Sequence, residues 1–148
     1  SASCYLGLYS TDKNEKLCDS IKQFGEYLGI AYQIKDDLFD IVGNINNTGK
    51  KSNLDVKKNM LTLPYIYALS SLNSLDKKIF LTKIKKYASK SDINSIKKMI
   101  IDSGGIEYTE NKIIEISNKA KQMLDEFPSS KYKESLNLAV DFNINRVY

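Results

Sequence analysis

From Asn14 to Val42 the chain runs without a proline, and Leu17, Ile21, Phe24, Leu28, Ala31, Ile34, Leu38 and Ile41 recur at three- and four-residue intervals. That spacing puts them on one stripe of a 3.6-residue helix, so the stretch predicts one long helix with a core-facing side. Gly25 and Gly29, one turn apart, cost helix propensity but permit close approach of another helix or a ligand. The rest of the chain reads the same way. Only two prolines and seven glycines interrupt it, and no β-type alternation is sustained between them.

Ala2 to about Tyr9 reads as the end of a helix, with Ser10, Thr11 and Asp12 offering caps for the next one. Thr62 and Pro64 mark a helix start carried by Tyr65, Ile66, Ala68, Leu69 and Leu72. Three further helices are expected at roughly Asp76 to Ala88, Asp92 to Ser103 and Ile106 to Phe127, the last striped by Ile113, Ile116, Ala120, Met123, Leu124 and Phe127. Pro128 stops it, and a final helix covers about Lys131 to Arg146 through Tyr132, Leu136, Ala139, Val140 and Ile144. The fold class is all-α, a helical bundle forming a single unit over residues 1–148.

Composition excludes several chemistries. The chain has no His, which removes imidazole general bases and His-ligated zinc. Cys4 and Cys18 lack metal-ligand spacing and are too sparse for a secreted disulfide framework, so a reducing, cytoplasmic setting is expected. No apolar stretch is long enough to span a bilayer. An apolar run so near Ser1 suggests that the chain begins inside a helix and is a piece of something longer. The formal charge of +4 comes mostly from eight lysines (77, 78, 83, 85, 86, 90, 97 and 98) that face one acid, Asp92. Nucleic-acid surfaces usually add arginines and aromatics, whereas the one arginine here is Arg146, so a solvated lysine face without nucleic acid is expected.

The long helix ends in Tyr32-Gln33-Ile34-Lys35-Asp36-Asp37-Leu38-Phe39-Asp40. Gln33, Asp36, Asp37 and Asp40 project on one side, and like charges three or four residues apart repel. Either this is a solvated acidic face or a hard cation offsets the repulsion. Mg²⁺ suits the second reading, because one or two carboxylates, waters and substrate phosphates complete its shell. Lysines in the loop that follows, Lys50 and Lys51, would complete a clamp for a diphosphate.

The run Phe24-Gly25-Glu26-Tyr27-Leu28-Gly29-Ile30-Ala31-Tyr32-Gln33-Ile34-Lys35-Asp36-Asp37-Leu38-Phe39-Asp40 closely resembles the second aspartate-rich region of the trans-isoprenyl diphosphate synthases, or polyprenyl synthetases. Gly49-Lys50, Asp55, Thr62-Leu63-Pro64-Tyr65-Ile66-Tyr67-Ala68-Leu69 and the arginine closing Phe142-Asn143-Ile144-Asn145-Arg146 fall at that family's spacings. The resemblance implies a partial isoprenoid-synthase fold and head-to-tail condensation of isopentenyl diphosphate with an allylic prenyl diphosphate. It implies that Asp36 and Asp40 bind Mg²⁺, that Asp37 orients a lysine, that Lys50 contacts the allylic diphosphate and that Gln33 steers proton loss. A loop lysine, a packing amide and a helix cap remain the plain alternatives for Lys50, Gln33 and Asp55.

Two positions depart from the family pattern. Met60 stands where a second diphosphate lysine is expected, with Lys57 and Lys58 nearby as substitutes, and Asn53 replaces a glycine. The family's first aspartate-rich helix is absent, so the chain resembles the C-terminal half of a synthase that is homodimeric at full length and inactive as this half. A non-catalytic regulatory subunit is the alternative that Met60 motivates.

Overall fold

The computed structural model describes residues 1–42, 60–85 and 89–146. Among the described residues there are helices and no strands. They are α1 (Ala2–Tyr9), α2 (Glu15–Val42), α3 (Leu63–Ser71), α4 (Ser74–Lys85), α5 (Lys90–Asp102), α6 (Gly105–Met123) and α7 (Lys131–Asn145).

The expected helices are all present, and their ends are set by caps that shift the boundaries. The Ser10 and Thr11 hydroxyls donate back to the Gly7 and Leu8 carbonyls at 2.8 and 3.0 Å, satisfying the end of α1. The cap of α2 is therefore Asn14, whose Oδ1 accepts from the Lys16 and Leu17 amides at 3.1 and 3.3 Å. Asn73 starts α4 earlier than apolar spacing suggests, accepting from the Leu75 and Asp76 amides at 3.0 and 2.9 Å. Ser89 and Asp92 form a capping box that likewise starts α5 at Lys90. The α6 stripe continues to Phe127, but the helix ends at Met123 because the amides of Leu124, Asp125 and Phe127 each bond three residues back.

The chain gathers into two compact units, Ser1–Lys35 with Lys112–Val147, and Asp36–Asn111. The core of the first holds Ile21, Phe24, Ala120, Leu124 and Val140, with Cys4, Tyr27, Leu28, Phe127 and Ile144 packed against them. Lys16 closes this unit on Glu126 at 2.8 Å, and Lys121 pairs with Asp141. The core of the second holds Ile41, Tyr65, Ala68, Phe80, Ile84, Ile93, Ile96 and Ile100. There the Tyr65 and Phe80 rings meet edge to face at 6.4 Å, and the Tyr67 and Tyr108 rings stack at 4.2 Å. Every position of the α2 stripe is buried or half-buried. In α7, however, Tyr132 and Ala139 are exposed, because Leu136, Val140, Asn143 and Ile144 define its inward face. Tyr132 lies in the first turn of α7, beside an open groove of the first unit.

The two α2 glycines differ. A Cβ on Gly25 would come within 2.9 Å of both the Ser1 Cα and the Cys4 Sγ, so α1 approaches here as closely as glycine allows, whereas a Cβ on Gly29 would meet nothing. Gly29→Ala should therefore raise stability by roughly 0.5–1 kcal/mol through helix propensity. Gly25→Ala should lower it, and thermal unfolding of the two variants separates these outcomes.

Candidate functional site

The last two turns of α2 carry Asp36, Asp37 and Asp40, all half-buried, and Gln33 lies a turn earlier and exposed. The helix has no basic residue in its last turn. Three carboxylates at this end face both their mutual repulsion and the negative pole of the helix dipole. Local physics thus opposes the arrangement, and positive charge from elsewhere must offset it.

One such charge comes from α5. Loss of water on burial pushes the Lys97 ammonium below the usual lysine range, and the Asp40 carboxylate opposes that shift by favouring the charged form. Lys97 is therefore not part of a purely solvated lysine face, which corrects the reading from composition. It follows the buried Ile96 and is half-buried with it, a position that the α5 stripe of Ile93, Ile96 and Ile100 marks as near the core. Other lysines of the same run also have partners: Lys83 meets Asp92 at 3.5 Å and Lys98 meets Asp102 at 2.9 Å. The Ser89 hydroxyl, ahead of Lys83, holds the Asp92 carboxyl below its ordinary range.

Among the described residues, no three His, Cys, Asp or Glu side chains converge closely enough to hold a metal ion. Asp36 and Asp40, one turn apart on α2, offer two hard oxygen donors. This donor set fits an open site in which waters and phosphate oxygens complete the shell of a divalent ion, and does not fit a closed cage. Lys50, Lys58, Lys57, Asn53 and Asp55 lie outside the described residues. Met60 is described and half exposed, at 50%. A separate groove of about 640 Å³ in the first unit is lined by α1 residues and by Ile21, Leu124, Phe127 and Leu136, with no carboxylate, so it is not the acidic site.

An all-α chain with this acidic helix end falls into a recognised class. The sequence profile described as "Polyprenyl synthetase" matches residues 1–101. The chain belongs to the polyprenyl synthetase family, as the run from Phe24 to Asp40 suggested. It is 31% identical over 134 residues to the decaprenyl-diphosphate synthase of Dictyostelium discoideum, covering 90% of this chain and 28% of that protein. The crystal structure of geranylgeranyl pyrophosphate synthase from Bacteroides thetaiotaomicron superposes with a TM-score of 0.85 at 30% identity, covering 97% of this chain and 47% of that one. A polyprenyl synthase from Caulobacter crescentus, crystallised with calcium and isoprenyl diphosphate, superposes with a TM-score of 0.80 at 26% identity, over 87% of this chain and 40% of that one. The chain thus spans less than half the length of each of these relatives.

The electrostatic influence of Asp40 on Lys97 has a direct test. Asp40→Asn removes the charge that favours the Lys97 ammonium, so the Lys97 pKa should fall further. Carbon-13 NMR of the lysine ε-methylene groups, followed through a pH titration, reads that shift, and an unchanged Lys97 curve would exclude the influence of Asp40.

Proposed function

We propose that the protein to which this chain belongs condenses isopentenyl diphosphate with an allylic prenyl diphosphate to give a longer trans-polyprenyl diphosphate. The chain is the C-terminal half of that synthase and supplies one of two acidic surfaces that hold the allylic diphosphate. The family membership of a chain bearing Asp36, Asp37 and Asp40 at one helix end is the observation that carries this reading. The crystallised Caulobacter relative, with its calcium and isoprenyl diphosphate, supports a divalent ion and a prenyl diphosphate as the ligands.

In this reading Asp36 and Asp40 hold Mg²⁺. When bound, the ion neutralises charge that develops on the departing diphosphate. Asp37 orients a lysine of the site, while Lys50 and Lys58 contact diphosphate oxygens. Gln33 stands near the reacting carbons and steers the final proton loss. Lys97 lies outside the family motif and moderates the acidic face through Asp40. The whole protein works as a homodimer in the cytoplasm. Among the described residues no helix is long and apolar enough to cross a membrane.

Incorporation of radiolabelled isopentenyl diphosphate tests the reading. The whole protein should turn over, and Asp36→Ala should slow it by at least about a hundredfold, the scale of losing a charge-stabilising group. This chain alone should show no turnover, and robust turnover by it would refute the two-surface account. Met60 favours a second reading, a regulatory subunit paired with an active one. Met60→Lys in the whole protein decides between them: a rise in rate or a drop in KM supports a defect at this position, and unchanged constants count against it.

A further inference from the structure

The last turn of α7 meets α2 at two points that flank Gln33. The Lys35 ammonium donates to the Ile144 carbonyl at 3.0 Å, a bond between partly buried groups. The Arg146 guanidinium lies over the Tyr32 ring, 4.2 Å from its centroid. Each contact has its own chemical logic. The final carbonyls of a helix have no partner within the helix, and a cation reaching one both bonds it and meets the favourable pole of the dipole. A flat guanidinium stacks on a ring face in a way that a compact ammonium does not reproduce.

Tyr32 and Lys35 are three residues apart and so share a face of α2. One contact would hold α2 near α7 but let it roll about its axis. Two contacts a turn apart, of different geometry, fix that rotation. Behind them, Val140 and Asn143 are buried in α7 and Ile144 packs on the first-unit core, so the end of α7 is itself anchored.

We infer that Arg146 and Lys35 are positioning residues: the last turn of α7 is a strut that fixes the rotation of α2 at Gln33 and, along the same helix, at Asp36. The Lys35 ammonium, directly before Asp36 and Asp37 in sequence, reaches the Ile144 carbonyl of α7. What the strut serves rests on the prenyl-transfer reading. Its existence does not.

Two measurements on this chain separate the strut from the site. Amide hydrogen exchange reads the strut. Arg146→Ala and Tyr32→Leu should each speed exchange around Gln33 by about fivefold to tenfold, the size of losing one cation–π contact. The double variant should be no faster than either single one. Tyr32→Phe should behave as wild type, and Arg146→Lys should recover only part of the protection. Calorimetric titration with inorganic pyrophosphate and Mg²⁺ reads the site. Affinity should fall in Arg146→Ala and Lys35→Met but hold in Gly25→Ala, which is also destabilised, and a purely structural role would not produce that difference. Exchange unchanged in both Arg146→Ala and Lys35→Met overturns the strut, and additive effects in the double variant overturn the stack. Faster exchange in the variants with no pyrophosphate uptake by the wild-type chain overturns the site reading and leaves the strut standing.

Discussion

The concentration of negative charge at the C-terminal end of α2 is the constraint on which the rest of the account depends. Asp36, Asp37 and Asp40 repel one another, and the helix pole they occupy is the wrong one for carboxylates. A fold selected only for stability would place lysines there, and α2 has none in its last turn. The cost is tolerable because the other face of the same helix is held firmly. Phe24, Ala31, Leu38 and Ile41 are all buried, and full burial of a large apolar side chain contributes on the order of 1.5–3 kcal/mol, several times the repulsion of a like-charged pair. Packing on one side of α2 thus permits an unfavourable charge pattern on the other.

The surrounding contacts are consistent with that division of labour. Burial strips water from the Lys97 ammonium while the charge of Asp40 favours its charged form, which offsets part of the repulsion. Lys35 and Arg146, by contrast, are turned to the end of α7 and the Tyr32 ring. The carboxylates of Asp36 and Asp40 suit an ion whose other ligands are water and phosphate, the coordination habit of Mg²⁺.

Much of this was legible in the sequence, for definite reasons. A stripe as long as the one from Leu17 to Ile41 has one geometric solution, and the acids at its end lie at fixed angles to it. Helix ends were less legible, because Asn14, Asn73 and Ser89 act through side-chain bonds that apolar spacing does not record. The capping box at Ser89 and Asp92 did have a signal, a serine with an acid three residues on. Lys97 and the Arg146 stack were hidden for a different reason. Both depend on which residues of distant helices meet, and neither charge counting nor periodicity carries that information. Gly25 and Gly29 show the same limit, since identical residues one turn apart prove to have opposite surroundings.

The central claim is that the end of α2 takes a divalent ion in company with a diphosphate. Paramagnetic broadening by Mn²⁺ of the amide signals of this chain, recorded with and without inorganic pyrophosphate, tests it most directly. The account predicts broadening centred on Asp36 and Asp40 that strengthens when pyrophosphate is added and disappears in a variant carrying both Asp36→Asn and Asp40→Asn. Broadening centred on other acids, such as Glu107, Glu110 or Glu115, or unchanged by that double substitution, would contradict it.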